Sequence, residues 1–98
     1  MVSTSNASTL TTNITHAAIH PSAHRARFTF DVTGGKPPVA IEFFCNLVRH
    51  GYVAGPPSSC TSPMVYGKLA KGNYTFSVYA QQAGGNNTNV ATDDFQIP

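Results

Sequence analysis

Alternation of apolar and polar residues along the chain predicts a series of short β-strands. Two stretches, 25–32 and 73–80, alternate without a slip. Their apolar positions each form one face and are expected in a core: Ala26, Phe28, Phe30, Val32, Tyr74, Phe76, Val78 and Ala80. A third stretch, 39–48, has its own apolar face, expected to point inward: Val39, Ile41, Phe43, Cys45 and Leu47. Its other face carries Phe44 and Val48, so we expect it to be covered by a neighbouring segment or to form a contact patch.

Turn-forming residues separate these stretches and frame shorter elements. Residues 1–12 are rich in Ser, Thr and Asn and are expected to be a linker or frayed leader, with a strand starting near Leu10 and the domain spanning 13–98. The Gly/Pro-rich stretch 50–59 predicts a loop, followed by a short strand at 63–69. A last strand at 89–97 is expected to point Ala91, Phe95 and Ile97 inward. Six or seven strands without an amphipathic helix predict an all-β Greek-key sandwich.

Composition limits the chain to one small domain and narrows its partners. Ninety-eight residues close one hydrophobic core. Only 10 % of the residues are charged, so Ser, Thr, Asn and Gln supply the polar surface, as in many secreted β domains. The six basic residues are scattered, which argues against nucleic-acid binding, and no apolar run approaches the roughly 20 residues of a membrane span. The start has no signal-peptide pattern, so a secreted origin implies an internal domain with an added Met1.

Four N-x-S/T motifs fit an extracellular or cell-surface location. They are candidate glycan acceptors at Asn6, Asn13, Asn73 and Asn86. Such motifs also arise by chance in a chain this rich in Ser, Thr and Asn. Their use depends on compartment and host.

The two cysteines, Cys45 and Cys60, are compatible with a disulfide, half a metal site or two free thiols. A metal site requires further thiolate or imidazole ligands at short spacing, and no such motif is present. A bridge from the end of one strand to the approach of the next would close the Gly/Pro-rich loop. In an oxidising compartment we expect this disulfide.

Several segments resemble immunoglobulin-like domains, related to fibronectin type III and polycystic-kidney-disease modules, of bacterial and algal surface and secreted proteins. The resemblance covers about residues 24–98, through segments 28–30, 41–45, 60–66, 69–80 and 95–97. It implies an immunoglobulin-like fold of about seven strands in which Cys45 and Cys60 pair. It also implies that Leu69, Gly72 and Tyr74 form the corner entering a central strand. Segment 46–59 is longer and richer in Pro and Gly than the family pattern.

Three motifs suggest chemistry and are weighed against structural roles. Arg49-His50-Gly51 is similar to the signature of histidine phosphatases, but we expect a loop histidine beside a turn glycine, since the chain predicts no helices for such a scaffold. His16, His20 and His24 recur every four residues, but Pro21 breaks the helix that would stack them, and we expect exposed histidines on an edge strand. Asp93-Asp94 is a candidate for a contribution to a calcium site between tandem domains.

Aromatic side chains outside the predicted core are the remaining binding candidates. Tyr52, Tyr66 and Tyr79, together with Phe44, are candidates for a platform for sugar rings or protein side chains, although Tyr66 and Phe44 are expected simply to pack beneath the long loop. The candidate ligand contacts are therefore Tyr52, Arg49 and Tyr79.

The sequence as a whole predicts a non-catalytic structural or adhesive module of an extracellular protein, without cofactor or metal. Its expected partners are neighbouring domains of the same chain, other surface proteins or glycans. A carbohydrate-binding accessory domain is the alternative.

Overall fold

The computed structural model describes residues 11–33, 41–82 and 87–98. Seven strands occupy most of these residues: β1 Thr11–His20, β2 Arg25–Thr33, β3 Ile41–Arg49, β4 Ser58–Cys60, β5 Met64–Tyr66, β6 Gly72–Gln82 and β7 Ala91–Ile97. A single 3₁₀ turn, Pro21–Ala23, joins β1 to β2. Thr11 and Thr12 belong to β1, so the first sheet includes two residues that the sequence assigned to the leader. The rest of that leader, with Asn6, lies outside the described residues.

The strands form two antiparallel sheets that confirm the predicted all-β sandwich. One sheet has the order β1-β2-β5 and the other the order β4-β3-β6-β7. The first two residues of β4 lie within the stretch 50–59 that was expected to be mostly loop, and β5 is shorter than the predicted strand at 63–69. β4 and β5 are edge strands of different sheets and do not pair with each other. The two sheets therefore stay separate along these edges.

A β-bulge in β1 explains why the alternation there is hard to recognise. Ile14 pairs with Phe30 and His16 pairs with Thr29, so Thr15 is an extra residue on the β1 side. Even-numbered side chains face the core before the extra residue, and odd-numbered side chains face it afterwards. Ile14 and Ile19, which are not an even number of positions apart, therefore both pack against the core.

Aromatic rings fill the space between the sheets. Phe28 of β2 stacks on Phe76 of β6 with ring centroids 4.1 Å apart, and both side chains are fully buried. Phe30 meets Phe43 edge to face at 4.9 Å. The predicted inward faces of β2 and β6 are confirmed by their burial except at Val32, which is half-buried, whereas Ile41, at the start of β3, is 37 % exposed. Val39 lies outside the described residues.

Tyr74 forms the corner at the start of β6. Its hydroxyl donates a hydrogen bond of 2.6 Å to the carbonyl of Ala70, four residues upstream, which fixes the turn that leads into β6. Leu69 is buried in the core beside it, and Gly72 has a φ of +154°, which few residues other than glycine adopt. His24, between β1 and β2, contacts the segment between β5 and β6, since its Nδ1 lies 2.8 Å from the Leu69 carbonyl.

The Cys45–Cys60 disulfide is present and lies within one sheet. Cys45 is buried in the middle of β3 rather than at its end, and Cys60 closes β4. The bridge runs diagonally, because the register pairs Phe43 with Cys60 and Cys45 with Ser58. It closes a 15-residue separation, which in the chain-entropy account stabilises the fold by about 3 kcal/mol.

A polar network joins the two sheets at the opposite side of the sandwich. The Asn89 side chain accepts a hydrogen bond from the Thr12 backbone N–H at 3.0 Å and donates one to the Thr12 carbonyl at 3.3 Å. The Thr88 hydroxyl accepts from the Ala80 N–H at 2.9 Å and donates to the Asn89 carbonyl at 2.9 Å. Thr12 is only 2 % exposed, and its hydroxyl lies 2.6 Å from that of Thr88.

Candidate functional site

The loop between β3 and β4 is the most exposed apolar feature of the described chain. It spans residues 50–57 and carries Tyr52, 61 % exposed, and Val53, 97 % exposed. Gly51, the second residue of the loop, has a φ of +91°. This backbone conformation is typical of glycine in a turn. An apolar side chain exposed almost completely gains from burial against a partner.

Arg49 holds the β3 side of this loop. Its Cζ lies 4.6 Å above the centre of the Tyr52 ring, and Nη1 donates a hydrogen bond of 3.1 Å to the tyrosine hydroxyl. Nη2 donates to the Lys71 carbonyl at 2.5 Å. The Tyr52 N–H also donates to the Arg49 carbonyl at 3.0 Å. The ring is therefore fixed by a cation–π contact and two hydrogen bonds, with its remaining surface open to solvent.

Asn46 holds the other side of the loop. Its Nδ2 donates a hydrogen bond of 3.0 Å to the Gly55 carbonyl. The loop segment that carries Tyr52 and Val53 is thus tied to β3 at both ends. A surface loop fixed in this way loses less conformational freedom when it binds a partner.

Tyr79 does not join Arg49 and Tyr52. It pairs with Phe44 across β6 and β3, and the two rings stack at 5.3 Å on the outward face of the four-stranded sheet. Arg49 lies five residues beyond Phe44 along β3, a distance of about 17 Å, and pairs with Tyr74. Because the two positions differ by an odd number of residues, Arg49 points to the opposite face of the sheet from Phe44. The three candidate ligand contacts therefore form two separate groups, the Arg49–Tyr52 pair and the Phe44–Tyr79 pair.

Comparisons with known proteins add nothing to this geometry. A scan against protein-family models, a search of curated proteins and a search of solved structures found no match to the chain. The functional argument therefore depends on the residues themselves.

Tyr66 packs inward rather than onto a surface platform. Its ring lies edge to face against Phe76 at 5.9 Å and against Phe28 at 6.3 Å. Burial raises the pKa of the Tyr66 hydroxyl above its ordinary value. The expectation that Tyr66 is a packing residue agrees with these contacts, whereas Phe44 packs on Tyr79 rather than beneath the β3–β4 loop.

His50 lies apart from Arg49, although the two are neighbours in sequence. His50 Nε2 lies 2.8 Å from the Thr75 hydroxyl, which donates a hydrogen bond of 2.6 Å to Asp94. Because the hydroxyl proton is given to Asp94, the imidazole Nε2–H is the donor to Thr75. The chain of bonds links the turn after β3 to β6 and β7 on the outward face. Arg49 lies on the opposite face, so the Arg49-His50-Gly51 motif brings no two functional groups together.

The acidic pair Asp93-Asp94 does not converge on one ion. Asp94 lies on the outward face with Thr75, whereas Asp93 pairs with Phe76 on the core-facing side of β7. Burial, and secondly the charge of Asp94, raise the pKa of Asp93. Neighbouring residues of a strand point to opposite faces, which explains the separation.

The three histidines at four-residue spacing lie along the β1–β2 hairpin. His16 and His20 are exposed on β1, the edge strand expected for them, while His24 follows the 3₁₀ turn in a left-handed conformation with its ring bonded to Leu69. Among residues 11–33, 41–82 and 87–98, no group of three His, Cys, Asp or Glu side chains has the geometry of a metal site. Across those same ranges there is also no helix with the length and hydrophobicity needed to cross a membrane.

The glycan candidates have different surroundings. Asn73 is exposed on β6. The amide of Asn13 is occupied, since Nδ2 donates hydrogen bonds of 3.1 Å to the Thr33 hydroxyl and 3.3 Å to the Thr11 carbonyl. Asn86 lies outside the described residues.

Sequence reasoning did not identify Asn46 and Lys71 as parts of the loop site. Asn46 is one of several polar residues on the outward face of β3, and only its bond to Gly55 distinguishes it. Lys71 contributes through its backbone carbonyl, which carries no sequence signal. The richness of segment 46–59 in Pro and Gly, together with Arg49 and Tyr52, was the indication in the sequence that this segment is special.

Proposed function

We propose that the domain is a non-catalytic adhesive module of an extracellular or cell-surface protein, and that its β3–β4 loop makes the contact. The observation that supports this function is the pairing of Tyr52 and Val53, both largely exposed, on a loop bonded to β3 through Arg49 and Asn46. Tyrosine is enriched among residues that dominate binding energy, and a fixed loop presents it without a large ordering cost.

The size of the exposed tip indicates a weak single contact. Burying the Tyr52 and Val53 side chains contributes about 2 kcal/mol each, before the cost of association is subtracted. A contact of this strength becomes durable when several copies act together, because linked sites bind at high effective concentration. A tandem or densely displayed adhesive domain meets that condition.

An extracellular location is part of the proposal. The Cys45–Cys60 disulfide is compatible with an oxidising compartment, where such bridges persist. Asn73 is the described acceptor site that best fits a glycan, because its side chain is exposed. Mass spectrometry of the natively produced protein before and after glycan removal tests this, and an unmodified Asn73 would contradict it.

Adhesion of domain-coated beads to cells of the producing organism tests the loop. The double variant Tyr52→Ala/Val53→Ser is expected to reduce bead adhesion at least about tenfold, because it removes most of the apolar tip. Val90→Ser is the matched control, since Val90 is 56 % exposed and lies outside the loop. Equal adhesion of the loop variant and the unchanged domain would refute the proposal.

A carbohydrate-binding role is the second candidate, and one observation favours it. Arg49 covers one side of the Tyr52 ring, while the residue as a whole remains 61 % exposed, which leaves aromatic surface free to stack on a sugar. Binding on an array of neutral glycans that is lost in Tyr52→Ala and kept in Tyr79→Ala would favour this role. An array without binding, together with loop-dependent bead adhesion, would favour a protein partner.

A further inference from the structure

The outward face of the three-stranded sheet carries a groove whose lining shares no residue with the β3–β4 loop. Ala26 and Phe28 of β2 are buried, so Arg25 and Arg27 point away from the core. The groove has a volume of about 400 Å³ and is lined by His20, Arg25, Arg27, Pro63 and Val65. His20 pairs with Arg25 and Val65 pairs with Arg27, so the register of three neighbouring strands assembles this lining.

The charge of this groove is one-sided. Of the described residues that line it, two are arginines, one is histidine and none is acidic. The protein has four acidic residues, and three of them, Glu42, Asp93 and Asp94, belong to the other sheet. The fourth, Asp31, pairs with Asn13 and lies four residues along β2 from Arg27, which is about 13 Å. A ligand with negative charges would therefore meet two guanidinium groups without a competing carboxylate in the groove.

We propose that this face binds a linear acidic polysaccharide, with its carboxylate or sulfate groups held by Arg25 and Arg27. The two arginines are two residues apart on one strand face, about 7 Å, which suits successive anionic groups on one extended chain. A guanidinium presents a planar fork that binds such groups through paired hydrogen bonds. Val65, 49 % exposed, and Pro63 supply an apolar wall for the carbon face of a sugar ring.

Other anionic macromolecules fit this face less well. A nucleic acid requires a longer track of cations along its phosphates than two arginines provide. On the side of the groove formed by Pro63 and Val65, an acidic peptide that adds to the sheet edge requires a longer strand than the three-residue β5, Met64–Tyr66. A polysaccharide uses the arginines and the apolar wall together and makes no demand on the strand edge.

Binding of the full chain to immobilised dextran sulfate and polygalacturonate, followed by biolayer interferometry, tests the proposal. Both polyanions are expected to bind, neutral dextran is not, and affinity falls as salt is raised because the contacts are ionic. Arg27→Gln is expected to weaken binding about tenfold, since a hydrogen-bonded charge is lost. Lys71→Gln removes the same charge from a side chain that does not line the groove and that contributes to the loop only through its backbone carbonyl, so it is expected to change affinity by less than about twofold.

A second pair of variants keeps the test independent of arginine. Val65→Asp places a carboxylate in the groove and is expected to weaken binding at least about tenfold. Val90→Asp adds the same charge outside it and is the matched control, with circular dichroism verifying that each variant folds. Tyr52→Ala/Val53→Ser is expected to bind both polyanions normally, which separates this site from the proposed adhesive loop.

Three results would overturn the proposal. The first is no binding to either polyanion at low salt. The second is equal loss in Arg27→Gln and Lys71→Gln, which would indicate attraction by net charge alone. The third is binding of poly-L-glutamate as tightly as of the polysaccharides, which would point to an acidic peptide instead.

Discussion

Replacing Gly72 by alanine tests how the corner before β6 supports the β3–β4 loop. Gly72 has a φ of +154°, and an added Cβ would lie 2.7 Å from Arg49 Nε. The substitution therefore strains the backbone and pushes away the guanidinium that contacts Tyr52 and the Lys71 carbonyl. One methyl group is expected to perturb both the fold and the candidate site.

The expected loss of stability follows from three terms. A side chain at this φ costs about 1 to 3 kcal/mol. Displacement of Arg49 removes its hydrogen bond to the Lys71 carbonyl, which contributes about 1 kcal/mol. Alanine also reduces the conformational freedom of the unfolded chain, which offsets about 0.4 to 1 kcal/mol of this loss. The free energy of unfolding is therefore expected to fall by about 2 kcal/mol, and the melting temperature by about 8 to 16 °C for a domain of this size.

Thermal and urea unfolding followed by tyrosine fluorescence measures this loss, since the chain has four tyrosines and no tryptophan. Gly67→Ala is the control, because a Cβ there meets no atom within 4 Å, and its effect is expected to stay within about 0.5 kcal/mol. Repeating Gly72→Ala in an Arg49→Ala background separates the clash from the backbone strain, because the clash is then absent. Equal stability of the Gly72→Ala and Gly67→Ala variants would refute the reasoning.

Other substitutions examine the network, the disulfide and the acidic strand. Thr88→Val is expected to cost about 1 to 3 kcal/mol in urea unfolding, because buried partners lose their hydrogen bonds, and the exposed Thr92→Val should be neutral; equal effects would contradict the role of the network. Cys45→Ala with Cys60→Ala should cost about 3 kcal/mol, and an unchanged unfolding midpoint would contradict this. Since burial raises the pKa of Asp93, the folded form binds the proton more tightly, and stability falls as pH rises above the ordinary value of 3.8. Asp93→Asn should therefore raise the melting temperature at pH 7, and a gain of the same size near pH 3 would be inconsistent with that sign.

The strands with an uninterrupted alternation were predictable from sequence, and those with irregular local chemistry were not. Phe28 and Phe76 lie at the centres of two regular stretches, and each is completely buried. β1 is harder to recognise because the bulge at Thr15 shifts its period. β4 has three residues in a Gly/Pro-rich segment, so it is defined only by its pairing with β3.

The candidate site was predictable only in part, because it depends on contacts between distant residues. Tyr52 and Arg49 were both chosen as candidate contacts, and they do lie together. The alternation in β6 predicts that Tyr79 points outward, but it does not indicate how far along the sheet Tyr79 lies from Arg49. The Asn89 bonds to Thr12 join residues 77 positions apart, and no local pattern indicates such a pair.

The Asn89 side chain has a consequence for the behaviour of the domain at high local density. Its amide occupies the N–H and C=O of Thr12 that face away from β2, the groups with which a strand of another molecule would otherwise pair. An incoming chain must first displace this amide and expose the buried Thr12. Crowded copies of the domain are thereby protected, at this end of β1, from fusing into a continuous intermolecular sheet.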